Sequence, residues 1–173
     1  MINQILRFDE IDSTQDEAKR IASKSVEGTV VISKIQQKGR GKPGSIWFSP
    51  SGGLYFSIIL KPKIDVIDLL LITKITADVI VSVLRGYNVD AEIKMPNDIM
   101  VGGKKICGIL VEKTKEALIV GIGINLSISE FPAGLNAISI NAIIAKEIDP
   151  DNFLNQILAL FNNEYSKMHG IAI

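Results

Sequence analysis

A run of glycines near residue 40 restricts the fold of this chain more than any other feature. Residues 36–50 read QQKGRGKPGSIWFSP, and the three glycines of this stretch, Gly39, Gly41 and Gly44, have the spacing G-x-G-x-x-G. That spacing is typical of a dinucleotide-binding turn, in which the third glycine opens a helix. Here Pro50, Gly52 and Gly53 follow and prevent a helix at that point. The run therefore predicts a loop between two strands and argues against a Rossmann fold.

The order of elements predicts a mixed sheet. Short β-branched runs such as QILRF and TVVISKIQ indicate strands, and three segments have apolar residues at helical spacing. The first helix is expected from about Thr14 to Lys24, with Thr14 and Glu17 as a capping box. The second is expected to end at Gly86 as its C′ glycine. The irregular order predicts an α+β fold, with a mixed, largely antiparallel sheet and helices packed on one face.

Composition argues against several kinds of protein and site. The formal net charge is +0, so bulk charge gives no reason to expect a nucleic-acid binder. The single cysteine, Cys107, excludes an internal disulfide, and the single histidine, His169, argues against histidine-based catalysis. The N-terminus lacks a signal pattern, and charged residues interrupt the apolar segment 64–84. We therefore expect a cytoplasmic protein without a membrane span.

The glycine run also has the chemistry of an anion-binding loop. Arg40 and Lys42 alternate with its glycines, and glycine lets the backbone approach a ligand closely. Cations and free N–H groups suit phosphate or carboxylate. A solvated hairpin loop is the alternative. Trp47 favours a site because an indole can cover a flat ring, although it could equally form an edge of the core.

Two further stretches place polar groups together. Ser13 and Thr14 lie where a helix is expected to begin, and their hydroxyls with the free N–H groups suit a carboxylate or a ureido oxygen. Plain N-capping by Thr14 is the alternative. Lys94 and Asp98 flank Pro96 and supply a cation and an oxygen ligand for Mg²⁺. An ordinary Asn-Asp turn is the alternative there.

The segment GGKKICGILVE predicts a strand that follows a hairpin turn at two glycines. Simple alternation places Lys105, Cys107 and Ile109 on one face, and Gly108 with core-like residues on the other. If the first face borders a cleft, Lys105 can reach a ligand; a solvated strand lysine is the alternative. The glycines of GIGINL similarly leave room for a ring against the backbone, or for a close helix-sheet contact.

Together and in this order, these stretches resemble the catalytic domain of biotin protein ligases. The motifs are residues 13–14 (ST), 36–47 (QQKGRGKPGSIW), 94–98 (KMPND), 105–112 (KICGILVE) and 121–125 (GIGIN). The resemblance implies a fold like that of class II aminoacyl-tRNA synthetases. It also implies an enzyme that joins biotin to ATP as biotinyl-5′-AMP and passes the biotin to a lysine of a biotin carboxyl carrier protein. ATP and biotin would be substrates, Mg²⁺ an activator, and no prosthetic group is expected.

The resemblance implies a role for each matching position. Lys105 and Arg40 would be catalytic, and Asp98 is the candidate for Mg²⁺ and for the base in transfer. The residues expected to contact biotin are Ser13, Thr14, Gln36, Gly39, Arg40, Lys105 and Gly108. The residues expected to contact the nucleotide are Lys42, Trp47, Lys94, Asn97, Asp98 and Asn125.

Three positions depart from the family pattern. Lys42 and Met95 stand where arginine and tryptophan are usual, and lysine lacks the bidentate fork of arginine. Gln15 stands where asparagine is usual, a change expected to affect the helix cap more than the chemistry.

The resemblance covers residues 1–173 as one catalytic domain, with no N-terminal helix-turn-helix and no complete C-terminal β-barrel, so DNA binding is not expected. Relatives pair through sheet edges, which implies a homodimer. Two alternatives stay open, a lipoate- or octanoyl-transferring relative and a non-catalytic biotin-binding module.

Overall fold

A computed structural model describes residues 2–62 and 68–170. Residues 64–67 of the apolar segment and the side chain of His169 lie outside this description. The described part forms seven strands and four helices: β1 (Gln4–Ile11), α1 (Thr14–Ile21), β2 (Thr29–Gln36), β3 (Gly53–Leu60), α2 (Leu69–Gly86), β4 (Glu92–Lys94), β5 (Asp98–Val101), β6 (Lys104–Lys113), β7 (Leu118–Asn125), α3 (Ile140–Ile144) and α4 (Pro150–Gly170).

All seven strands belong to one sheet, in the order β1-β2-β3-β7-β6-β5-β4. β1 and β2 are parallel, and the other neighbouring pairs are antiparallel. Gly102 and Gly103, with φ of 54° and 74°, form the tight turn between β5 and β6. The predicted mixed, largely antiparallel sheet is confirmed.

The helices cover both faces of the sheet. The large apolar core includes Val30 and Ile32 and is covered by α2 and α4. On the opposite face Val31 packs with Ala18 and Ala22 of α1. The prediction of helices on one face therefore holds for α2 and α4 but not for α1. Because β1 and β2 are adjacent and parallel, the segment between them has to cross a face, and α1 crosses the one that α2 and α4 leave open.

The start of α1 differs from the predicted capping box. Ser13, with φ −158° and ψ 130°, is the N-cap, and its side chain accepts a hydrogen bond from Asp16 N at 3.3 Å. Glu17 does not reach back; it pairs with Arg20 at 2.6 Å. The helix ends at Ile21 rather than Lys24. Because Ser13 caps the helix, the Thr14 side chain is free to face the sheet.

The end of α2 also corrects a prediction. Gly86 is the last helical residue and does not have a positive φ. The left-handed position belongs to Asn88, with φ 58°, after the C-cap Tyr87. Asparagine tolerates this conformation because its short polar side chain can bond locally.

We expect Gly86→Ala to raise the free energy of unfolding by about 0.5–1 kcal/mol, because alanine is the better helix former. A Cβ at this position has no atom within 4 Å. Urea denaturation would measure the effect. Gly103→Ala is the matched control and should lower stability, since φ is 74° there. A loss of stability in Gly86→Ala would contradict this account of the helix end.

Candidate functional site

A cavity of about 210 Å³ lies on the α1 face of the sheet. Elements distant in sequence line it: the start of α1, the loop after β2, and strands β3, β5, β6 and β7. The predicted site residues that it brings together are Thr14, Gln36, Arg40, Lys42, Trp47, Asn97, Asp98, Lys105 and Gly108.

Glycines form the floor of the cavity, and Trp47 lies on them. A Cβ at Gly123 would lie 2.4 Å from Trp47 Nε1, and one at Gly108 would lie 2.7 Å from its Cζ3. Any side chain at these two positions would therefore displace the indole. The glycines of β6 and β7 give a large aromatic ring direct access to the backbone.

A β-bulge brings Lys105 to the cavity. Ile99 pairs with Cys107 whereas Met100 pairs with Lys105, so Ile106 is an extra residue in β6. The bulge shifts the alternation, so Lys105 shares the cavity face with Gly108, while Cys107 and Ile109 point into the core. The predicted grouping of Lys105 with Cys107 and Ile109 is therefore wrong. Bulges commonly re-aim a side chain in this way.

The Lys105 ammonium has two partners. Its Nζ lies 2.7 Å from Asp98 Oδ1 and 5.0 Å from the centroid of the Trp47 ring. Both charged side chains are mostly buried, with exposed fractions of 30% for Lys105 and 24% for Asp98. The arrangement holds a cation against an aromatic face at the cavity and provides a carboxylate beside it.

Arg40 is held by two carboxylates that sequence analysis did not single out. Its guanidinium donates to Asp16 at 2.6 Å and lies 3.4 Å from Glu112. The hydrogen bond to Asp16 raises the pKa of Arg40 above its ordinary value. The charged guanidinium is therefore held beside the cavity by two carboxylates.

Polar side chains from α1, β2 and β3 form one wall of the cavity. Gln36 Oε1 accepts from Thr14 N at 2.8 Å, and Thr14 Oγ1 lies 3.0 Å from Ser57 Oγ. Gln15 is 3% exposed and lines the same wall, with its Nε2 2.9 Å from Glu112 Oε2. Gln15 therefore lines the cavity, whereas the helix cap is formed by Ser13. Neither Gln15 nor Ser57 belongs to a local signal that sequence alone could interpret.

Four predicted residues do not line the cavity. Ser13 caps α1, and Gly39 is a buried residue of the loop that carries Arg40. Lys94 is exposed opposite Asp98 in the β4–β5 hairpin. Asn125 is buried and donates to the Lys105 carbonyl at 3.1 Å, so it fixes the backbone of the lysine.

The described residues also limit the metal sites and membrane spans that the chain can form. In residues 2–62 and 68–170 there is no group of three His, Cys, Asp or Glu side chains able to hold a metal ion. Asp98 could therefore contribute only one ligand. None of the described helices is both long enough and apolar enough to cross a membrane.

Comparison with known proteins gives consistent matches. Residues 7–129 match the Biotin/lipoate A/B protein ligase family. The chain is 33% identical over 177 residues to the Bifunctional ligase/repressor BirA of Bacillus subtilis, which covers 95% of this chain and 54% of that protein. The chain thus spans about half the length of this curated relative.

Solved structures agree in fold. Biotin protein ligase from Aquifex aeolicus in complex with biotin and ATP is 33% identical with a TM-score of 0.86, covering 95% of this chain and 71% of that one. Biotin protein ligase from Leishmania major in complex with biotinyl-5-AMP is 26% identical with a TM-score of 0.79, covering 95% and 75%.

Proposed function

The chain belongs to the biotin/lipoate A/B protein ligase family, and on this premise we propose that it is a biotin–[biotin carboxyl carrier protein] ligase. It would form biotinyl-5′-AMP from biotin and ATP and then transfer biotin to a lysine of the carrier, with residues 1–173 as the catalytic domain. The observation that carries the proposal is one cavity that is lined both by a wall of polar side chains and by the cations Arg40 and Lys105.

The polar wall supports biotin over lipoate as the substrate. Thr14, Gln15, Gln36 and Ser57 place hydrogen-bonding groups on one wall of the cavity. A ureido group can add hydrogen bonds to such groups, whereas an apolar dithiolane can make none with them. The glycine floor and Trp47 would contact the apolar faces of the ligand.

The cations support the adenylation step. The biotin carboxylate attacks the α-phosphate of ATP, a new C–O–P linkage forms, and the P–O bond to pyrophosphate breaks. Both reactants are anions, so Lys105 and Arg40 would reduce their repulsion and stabilise the charge of the transition state. Lys42, on the same loop, would extend the positive surface toward the phosphates.

Asp98 fits a role in binding Mg²⁺. It is a carboxylate on the cavity, and a hydrated Mg²⁺ needs only one or two protein carboxylates when phosphates supply other oxygens. In the ligand-free chain Lys105 holds Asp98 at 2.7 Å. When anionic substrates occupy Lys105, Asp98 becomes available to the metal, or to the amine of the carrier lysine during transfer. Lys94, Asn97 and Asn125 remain predicted contacts of the nucleotide.

The proposed function predicts biotin-dependent exchange between ATP and pyrophosphate with this chain and Mg²⁺. The exchange isolates adenylation and needs no carrier protein. Lipoate in place of biotin, and EDTA in place of Mg²⁺, should reduce exchange to background. Exchange with lipoate would favour the lipoate-transferring alternative. Biotin binding without exchange would favour a non-catalytic binding module.

A further inference from the structure

A chain of hydrogen bonds follows the polar wall of the cavity. It starts at Thr14, whose Oγ1 also lies 3.1 Å from Gln36 Oε1. Thr14 Oγ1 lies 3.0 Å from Ser57 Oγ, and Ser57 Oγ lies 3.1 Å from Gln15 Oε1. Gln15 Nε2 then donates to Glu112 Oε2 at 2.9 Å. Thr14, Gln15 and Ser57 are buried, so their bonding depends on one another.

The orientation of the Gln15 amide is fixed by its surroundings. Glu112 Oε2 and the carbonyl oxygens of Ile119 and Leu110 lie 2.9, 3.3 and 3.5 Å from Nε2. All three accept hydrogen bonds and none can donate, so the amide nitrogen has to face them. The amide oxygen consequently faces Ser57.

Glu112 keeps its charge in this position. Burial raises the pKa of the Glu112 carboxyl, but hydrogen bonds from Lys19 and Gln15, with the charges of Lys19 and Arg40, outweigh this and leave the pKa below its ordinary value. Lys19 Nζ lies 2.7 Å from Glu112 Oε2. At neutral pH the Glu112 carboxylate, which ends the series of hydrogen bonds, is therefore an acceptor.

The number of available protons then determines which group donates in each hydrogen bond along the wall. Each hydroxyl has one proton, and an amide oxygen has none. Ser57 has to donate to Gln15 Oε1, because the amide oxygen has no proton and only the Ser57 hydroxyl can supply one to this hydrogen bond. The contact between Ser57 and Thr14 can then be filled only by the Thr14 proton. Gln36 Oε1 does not need that proton, since it already accepts from Thr14 N at 2.8 Å.

We propose that Glu112, acting through Gln15 and Ser57, makes the Thr14 hydroxyl a hydrogen-bond acceptor toward the cavity. The wall then selects a ligand that presents an N–H group at Thr14 and rejects one that presents an oxygen there. A cyclic urea has such N–H groups. This inference rests on the proposed function and adds Gln15 and Glu112 as positioning residues for substrate selection.

The test compares biotin with two cyclic carbamate analogues, in each of which one ureido N–H is replaced by oxygen. Calorimetry would give the dissociation constants with the 173-residue chain. We expect one analogue to bind at least about tenfold more weakly than biotin, because an oxygen facing an acceptor leaves both unpaired. Desthiobiotin, which keeps both N–H groups, is the control ligand.

Gln15→Met should weaken this preference by about fivefold or more, because methionine offers the Ser57 hydroxyl no comparable acceptor. Ser57 can then donate to Thr14, whose own proton becomes available to the ligand. Gln37→Met is the matched control, since it makes the same change at an exposed position outside the cavity. The double variant Gln15→Glu with Glu112→Gln should restore the preference, because position 15 again offers only an acceptor to Ser57.

Gln15→Leu gives an independent readout if Gln15→Met does not fold, and the same loss of preference is expected. An unchanged preference in either folded variant would overturn the inference. Wild-type chain that does not bind biotin at all would instead contradict the proposed function, so the two failures are distinguishable.

Discussion

Replacing Lys105 with alanine is expected to lower the rate of biotin adenylation by about 10²–10³-fold, which is the usual effect of removing one preorganised donor. Lys105 is placed on the cavity by the bulge in β6, and its backbone carbonyl is held by Asn125 at 3.1 Å. No other lysine of β5 or β6 lines the described cavity. Exchange between ATP and pyrophosphate at saturating biotin would measure the loss.

The control for this variant is Lys104→Ala. Lys104 is the exposed neighbour in the same strand, so its removal changes net charge equally without touching the cavity. We expect near-normal exchange from Lys104→Ala and a folded far-ultraviolet dichroism spectrum from both variants. Near-normal turnover of Lys105→Ala would remove Lys105 from the catalytic role.

Replacing Gly39 with alanine is expected to lower the same rate by about 10²-fold, because displacing catalytic groups by about 1 Å can cost that much. A Cβ at Gly39 would lie 2.4 Å from both the Trp47 carbonyl oxygen and Ser49 Oγ. The carbonyl is backbone, so the two sides of the loop have to separate. Separation breaks the hydrogen bond from Trp47 N to Gly39 O, 2.9 Å long, and displaces Arg40 and Trp47 together.

Gly44→Ala in the same loop is the matched control. A Cβ there meets no atom within 4 Å, although φ is +82°, so only local backbone strain is expected. Exchange activity should fall far less than in Gly39→Ala. Equal losses from both variants would show that the loop needs flexibility rather than the close contact at Gly39.

The sequence predicts the sheet and most of the cavity because both depend on local signals. The run of residues 36–50 predicts a loop, and that loop carries Arg40 and Trp47 to the cavity. The glycines of β6 and β7 predict a thinned sheet, and they form the floor under Trp47. The sequence within one turn or one strand is thus enough to predict the local structure of that segment.

The parts that sequence analysis missed depend on contacts between distant elements. The bulge at Ile106 follows from the pairing of β5 with β6, so alternation alone gave the wrong face for Lys105. Gln15 reaches Glu112 across 97 positions of sequence. No local pattern distinguishes such a glutamine from one that affects only a helix cap. The predicted roles of individual residues in binding still depend on the experiments described above.

Because α1 packs on the sheet face opposite α2 and α4, it is expected to open locally more easily than they do. α1 rests on a small apolar cluster, in which Ala18 and Ala22 contact Val31 and Ile59, apart from the large core under α2 and α4. Thr14 and Gln15 are the first two residues of this helix. Segments with few buried apolar contacts open locally at a lower free energy than the whole fold. Amide hydrogens of α1 should therefore exchange with solvent faster than those of α2, and a bound ligand that contacts α1 should slow them selectively.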